Sequence, residues 1–283
     1  MGRRLVSFDW ALKRLLRSKV NFDILEGFLS ELLHDDVTIL EVLDSESNKI
    51  HKRDKFNRVD LKVRNQKGEI IIIEVQADWQ YEYFQRVIYG VSKAFTEHIE
   101  ESDDYNKVIK VISVSILYFT LGKGEDYIYH GTTDIRGLHS QEELQLSDGL
   151  QENLKVTKPG ALFPEYYFIR VDKFDDVAKN SLDEWIYFLK NEDIKDEFKA
   201  RGLKAAKDKL DKCRLDDDQR RAYEAWVEDR RCERSTMKSA LWLGKQQGKR
   251  ETAKKLLHLL NDQQISEATG LSVGEIAKLR EDE

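Results

Sequence analysis

Residues 59–76 read VDLKVRNQKGEIIIIEVQ, and they contain the most informative pattern in the sequence. Apolar and polar residues alternate from 59 to 64, which is the period-two pattern of a β-strand. Residues 65–68, NQKG, are typical of a turn. The isoleucine-rich run 69–76 predicts a second strand that is buried on both faces as far as Glu74. The stretch therefore predicts a β-hairpin.

The turn determines which residues of the two strands face each other. If it is centred on Lys67, Asp60 lies opposite Glu74, and directly opposed residues have Cβ atoms about 4.5–5.5 Å apart. A slip of one residue would place Asp60 opposite an apolar side chain, so the hydrophobic pattern specifies the register. On the other face, the same register pairs Val59, Leu61 and Val63 with Val75, Ile73 and Ile71.

Two carboxylates this close repel each other unless a positive charge lies between them. Oxygen ligands from Asp60, Glu74 and the Val75 backbone carbonyl suit Mg²⁺, with Mn²⁺ as an alternative. Such an ion polarises a phosphodiester and lowers the pKa of a bound water molecule. Gln76 projects from the same strand face as Glu74, so its amide is placed to orient that water.

A structural alternative for Asp60 stays open from the residues alone. An acidic residue in a strand is usually solvated, and Asp60 could pair with Arg58, Lys62 or Arg64. The segment 51–58 is basic, which is consistent both with a local DNA-binding surface and with ordinary solvated side chains.

The elements around the hairpin predict an α/β fold. A mixed central sheet flanked by helices is expected, followed by a charged helical C-terminal region. The predicted helices and strands are, in order, helices at 10–16 and 25–33, strands at 40–43, 58–64 and 69–76, a helix at 79–99, strands at 108–119, 127–130 and 166–171, and mostly helix over 183–260.

Bulk composition limits the class of protein. The net charge of −6 does not by itself indicate a nucleic-acid binder. Two cysteines and scattered histidines exclude a disulfide framework and show no zinc-binding spacing. The first twenty residues are amphipathic, and no apolar run is long enough to span a bilayer. We therefore expect a cytoplasmic protein with no membrane partner, and homo-oligomerisation is left open.

The hairpin resembles the active-site motif of the PD-(D/E)XK nuclease superfamily, through VDL at 59–61 followed by IEVQ at 73–76. More narrowly, it resembles the recombination-promoting nuclease and transposase family, in which glutamine replaces the usual lysine. FDWALK at 8–13 resembles that family's opening motif, and residues 21–33 resemble its second helix.

This resemblance implies a restriction-endonuclease-like core and a Mg²⁺-dependent deoxyribonuclease, linked to DNA recombination or transposition. It implies that Asp60 and Glu74 hold the metal and that Gln76 stands where the superfamily's lysine orients or activates water. Because glutamine carries no charge, Arg86 or a second metal ion is expected to supply positive charge to the transition state.

The resemblance also nominates residues outside the hairpin. Superfamily members often add a carboxylate from the first core helix, and Glu26 is the candidate, with a solvated helix residue as the alternative. Arg58, Lys62 and Arg86 are expected to contact DNA. For Arg86, a structural ion pair is equally consistent with the sequence.

The C-terminal residues 264–279 predict a helix, a glycine turn and a second helix. Ser272 and Glu275 match a capping box, and Gly270 suits the end of the first helix. This pattern resembles a DNA-binding helix-turn-helix; its second helix has few basic residues, so a packing or protein-contact tail is the alternative. We predict a nuclease-like domain at 1–175, a charged helical region at 176–245 and a helix-turn-helix-like tail at 246–283.

The leading functional hypothesis is a metal-dependent DNA endonuclease. The alternatives are a catalytically weak relative that binds DNA or protein, and a helical interaction protein with no nucleic-acid role.

Overall fold

The computed structural model describes residues 5–44, 59–99 and 102–281. Within these ranges the strands are β1 (Ile39–Leu43), β2 (Leu61–Asn65), β3 (Ile70–Gln76), β4 (Val111–Leu117), β5 (Ile128–Gly131) and β6 (Glu165–Arg170). They form one sheet in the order β1-β2-β3-β4-β6-β5. Strands β3, β4 and β6 are parallel to one another, and the remaining neighbours pair antiparallel. The predicted mixed sheet is confirmed.

Helices precede, interrupt and follow the strands. In the described ranges they are α1 (Phe8–Arg14), α2 (Phe22–Leu33), α3 (Tyr83–Thr96), α4 (Asp148–Leu154), α5 (Ser181–Asn191), α6 (Leu203–Lys209), α7 (Asp217–Leu256), α8 (Asp262–Thr269) and α9 (Val273–Glu281). None of them combines the length and apolar character that a bilayer crossing requires.

The β2–β3 hairpin has the predicted register. Leu61 pairs with Ile73 and Lys62 with Ile72. Residues within the turn stabilise its conformation. The Asn65 side-chain oxygen accepts the N–H groups of two of the next four residues, and Gly68 adopts a φ of 78°.

Val59 departs from the predicted alternation. The chain bends at Asp60, and β2 begins only at Leu61. Val59 therefore packs in a cluster with Ile72 and Val91 of α3, on the opposite face from the one that strict alternation predicts. Helix α3 covers the face of β3 that carries Glu74, which becomes important for the site.

The chain divides into two compact units, Met1–Asp216 and Asp217–Glu283. In the first unit, α5 completes the core, and the predicted domain boundary at 175 stays a prediction. Trp185 and Phe188 of α5 are fully buried and pack on Phe8, with ring centroids 6.5 and 6.1 Å from it.

The second unit has a small core of its own. Helices α8 and α9 pack against the end of α7 around Leu257, Ile265 and Ile276. Gly270 ends α8 with a φ of 67°, and the Ser272 hydroxyl accepts the N–H of Glu275 at 3.3 Å. The predicted helix–turn–helix geometry is therefore present, and DNA contact by it stays a prediction.

Candidate active site

Asp60 lies where the hairpin opens towards the carboxyl end of β3. Leu61 and Ile73 are the outermost pair of β2 with β3, and Asp60 is the next residue outward, at the bend before β2. Asp60 Oδ2 accepts the backbone N–H of Val75 at 2.7 Å, so the carboxylate reaches across to β3. Its backbone carbonyl accepts a hydrogen bond from Arg17 Nη2 at 2.6 Å, which holds the residue from the N-terminal segment.

The Val75 carbonyl points to the same side of β3 as Asp60. In a β-strand the N–H and C=O of one residue face the same neighbour, and the Val75 N–H faces Asp60. The next carbonyl, that of Gln76, faces β4 instead, where it accepts the N–H of Tyr118 at 3.0 Å. Asp60 and the Val75 carbonyl thus lie on the same side of β3, and Glu74, whose pKa the Asp60 charge raises, precedes Val75 on that strand.

Glu74 is a buried carboxylate with incomplete charge compensation. It is only 7% exposed, and Arg86 Nη2 lies 3.6 Å from its Oε1. Burial raises the pKa of Glu74 from 4.5 to about 7, the Arg86 charge opposes this rise, and the negative charge of Asp60 adds to it. A group in this position gains from any additional cation that it can bind.

Lys13 and Asp9 belong to the site, although the sequence analysis gave them no role. Lys13 Nζ lies 2.6 Å from Asp9 Oδ1 and 3.4 Å from Asp60 Oδ1. Burial lowers the pKa of Lys13, but the charges of Asp60 and Asp9 outweigh it and hold the pKa above 10.5. Lys13 is therefore a fixed cation beside Asp60. Both residues fall in FDWALK, so that motif was the available signal.

Glu26, the nominated catalytic carboxylate, makes a structural contact, and its catalytic role stays a prediction. Its Oε1 accepts the backbone N–H of Ile39 at 2.8 Å, so it ties α2 to the start of β1. It also lines a surface pocket with Asp23 and Arg201. The first helix, α1, connects its carboxylate Asp9 to Asp60 through Lys13.

Lys62 has a structural role in place of the predicted DNA contact. It is 6% exposed, and its Nζ donates to Glu97 Oε2 at 2.8 Å. A lysine enclosed in such a pair has no exposed charge for a phosphate. Arg64 likewise pairs with Glu41 at 3.0 Å, so neither residue neutralises Asp60. Arg58 lies outside the described residues.

Gln76 and Arg86 flank Glu74 and connect the site to the loop after β3. Gln76 Nε2 donates to the backbone carbonyl of Asp78 at 3.1 Å. Arg86 Nη1 donates to Gln80 Oε1 at 3.3 Å, in addition to its contact with Glu74. The Arg86 side chain is 37% exposed, so one guanidinium both balances Glu74 and borders solvent.

The donor set fits a hard divalent cation. Two carboxylates and a backbone carbonyl are oxygen ligands of the kind that Mg²⁺ and Mn²⁺ prefer, and such ions complete their shell with water and substrate oxygens. In the described part of the chain, no group of three or more His, Cys, Asp or Glu side chains is placed to hold a metal. An ion here would therefore rely on the Val75 carbonyl as well as the two carboxylates.

Comparison with known proteins agrees with this geometry. A family model described as PD-(D/E)XK nuclease family transposase matches residues 6–240, a span that contains FDWALK and the complete hairpin. Searches of curated proteins and of solved structures found no match. The match covers most of the chain, and the chain therefore belongs to the PD-(D/E)XK nuclease family transposases.

Proposed function

We propose that this protein is a divalent-metal-dependent endonuclease that hydrolyses phosphodiester bonds in DNA. Family membership supports a nuclease-type activity. The observation that carries the finer proposal is the hydrogen bond from the Val75 N–H to Asp60 Oδ2, because it brings the Asp60 carboxylate to the strand residue that follows Glu74.

Asp60, Glu74 and the Val75 carbonyl are the proposed ligands. A bound Mg²⁺ or Mn²⁺ would polarise the scissile phosphate and lower the pKa of a water molecule. The protein's own part is to hold the ligands in place, since the Val75 N–H and Arg17 both fix Asp60.

Three further residues act at the reaction centre in this proposal. Gln76 orients the attacking water through its amide, as the sequence predicted. It cannot stabilise the negative charge of the transition state, because it is neutral. Lys13 lies 3.4 Å from Asp60 Oδ1 and supplies that charge from α1. Arg86, 3.6 Å from Glu74 Oε1, adds a second positive charge.

The direct test is nicking of supercoiled plasmid by the full chain, with Mg²⁺, with Mn²⁺ and with EDTA. We expect nicking only with a divalent ion. Asp60→Asn should lower the rate by more than about 100-fold, because even residues that merely support a metal ligand are worth about 10- to 100-fold.

Glu69→Gln is the matched control. Glu69 lies at the other end of the same hairpin, where its Oε2 accepts from the Asn65 amide at 2.7 Å, and a glutamine oxygen can still accept there. The nicking rate of the Glu69→Gln variant should equal that of the unmodified chain. Nicking that persists in EDTA, or that survives in Asp60→Asn, would contradict the proposal. DNA binding without nicking would support the catalytically weak alternative.

A further inference from the structure

Two aromatic side chains are exposed on the loop that connects β3 to α3. Trp79 is 56% exposed and Tyr81 is 84% exposed, and their ring centroids lie 6.2 Å apart in an edge-to-face contact. Large aromatic side chains usually gain their stabilisation from burial. These two leave most of their surface in water, so the fold does not account for their presence.

The loop is tied to the candidate active site at both ends. At its start, Gln76 Nε2 donates to the Asp78 carbonyl at 3.1 Å. Further along, Gln80 accepts from Arg86 at 3.3 Å, and the same guanidinium contacts Glu74. Trp79 follows Gln76 by three residues, so their Cα atoms are at most about 11 Å apart.

Phe84, another exposed aromatic residue close to this loop in the sequence, has a different environment. Phe84, in the first turn of α3, packs edge-on against Phe168 of β6 with ring centroids 5.5 Å apart. Phe84 therefore extends the apolar layer of the sheet. Trp79 and Tyr81 lie before the helix begins, on the segment that borders the carboxylates.

The surrounding charges suit a polynucleotide backbone. Lys13 lies against Asp60, Arg17 bonds its carbonyl, and Arg86 lies against Glu74. The side chains of Lys13 and Arg86 are 39% and 37% exposed, so both cations border solvent although each lies against a carboxylate. Cations that follow the backbone, with aromatic rings beside them, form the usual arrangement for binding single strands.

We propose that Trp79 and Tyr81 form a stacking platform for unpaired bases, and that the substrate is single-stranded DNA in preference to intact duplex. The inference rests on the proposed function, which places the scissile phosphate at Asp60 and Glu74. The bases that flank this phosphate are then within reach of the two rings. In a duplex, base faces are covered by their neighbours and must first be unstacked.

The test measures binding by fluorescence anisotropy, in EDTA and at fixed salt, so that cleavage does not interfere. The probes are a labelled oligothymidine and a duplex of the same length. The unmodified chain should bind the single strand more tightly. Trp79→Ala/Tyr81→Ala should lose about tenfold or more in single-strand affinity, the usual effect of removing base–aromatic stacking, with duplex affinity changed less than about twofold.

Two variants serve as controls. Tyr105→Ala removes a tyrosine that is 91% exposed and precedes β4, which begins beside Ile70 at the other end of β3. It should bind both probes normally. Trp79→Phe/Tyr81→Phe should restore single-strand binding, because it keeps aromatic faces on the same backbone.

Three results would overturn the inference: equal binding of both probes by the unmodified chain, unchanged single-strand affinity in the double alanine variant, or an equal loss for both probes in that variant. Cleavage is judged separately. If the chain fails to nick DNA but the alanine variant selectively loses single-strand binding, hydrolysis is refuted and the platform stands. If Mg²⁺-dependent nicking occurs and the alanine variant binds normally, only the platform is refuted.

Discussion

Glu74 combines burial with an unfavourable charge environment, and this makes its contribution to stability depend on pH. Its folded-state pKa of about 7 lies above the ordinary value of 4.5. Below about pH 4.5 the Glu74 carboxyl is protonated in both the folded and the unfolded protein, so it does not lower the free energy of unfolding. Between 4.5 and 7 the folded state binds more protons than the unfolded state, so stability falls as pH rises. Above pH 7 the carboxyl is ionised in both states, and the free energy of unfolding stays lowered by the full amount.

Glu74→Gln should therefore stabilise the metal-free protein at pH 8 and have little effect at pH 4.5. The gain should approach about 3 kcal/mol, which is the shift converted at 1.36 kcal/mol per pKa unit. Urea unfolding in EDTA at the two pH values measures it, with Glu69→Gln as the control. If Glu74→Gln changes the free energy of unfolding by the same amount at both pH values, Glu74 ionises normally in the folded protein.

Replacing Lys13 distinguishes stabilisation of the transition-state charge from binding of the metal ion. The Lys13 ammonium group lies 3.4 Å from a proposed metal ligand, so Lys13→Met should leave Mn²⁺ affinity unchanged or make it tighter. The nicking rate should fall by about 100-fold, the effect of removing one donor that stabilises a transition state. Calorimetry and the plasmid assay measure the two quantities.

Lys204→Met is the control for that variant, because Lys204 is an exposed lysine on α6 with no assigned role. An unchanged nicking rate in Lys13→Met would remove Lys13 from the mechanism. A parallel loss of Mn²⁺ affinity would instead make it a residue that only organises the ligands.

At the scale of elements, α2 and α6 approach so closely that only glycine fits between them. A Cβ atom added to Gly27 would lie 2.6 Å from Gly202 Cα, and Gly202 itself has a φ of 83°. Gly27→Ala should lower the free energy of unfolding by about 1–3 kcal/mol, the usual cost of overpacking. Gly149→Ala on α4 is the control, because nothing lies within 4 Å of its added Cβ. Equal unfolding free energies for the two variants would contradict this packing.

The hairpin was predictable because its determinants are local. The alternation of apolar residues and the turn chemistry at Asn65 and Gly68 lie within the same eighteen residues, and the register of β2 on β3 follows from them. The bend at Asp60, which redirects Val59, is the part of this stretch that periodicity does not encode.

Contacts between distant elements were not predictable in the same way. Lys62 shares a strand face with Glu74, but its burial depends on Glu97, which α3 delivers from 35 positions away. The amphipathic patterns of α1 and α2 indicate which face of each helix is buried. They do not indicate that Lys13 links Asp9 to Asp60, which only the packing of α1 near the hairpin reveals.

At the scale of the whole molecule, the first compact unit ends at Asp216. A chain truncated after Asp216 should unfold cooperatively and retain Mn²⁺ binding. A chain truncated after residue 175 should not, because it lacks Trp185, which packs 5.5 Å from Phe28 between ring centroids. Thermal unfolding followed by circular dichroism distinguishes the two. A cooperative transition in the shorter chain would place the boundary near 175 after all.

The central claim is that one cation is shared by Asp60, Glu74 and the Val75 carbonyl. The most direct measurement is the anomalous scattering of Mn²⁺ in crystals of the full chain. We expect a peak about 2.0–2.3 Å from one oxygen of each of these three residues, and its loss in Asp60→Asn. A peak elsewhere, or no peak here at a Mn²⁺ concentration that supports nicking, would contradict it.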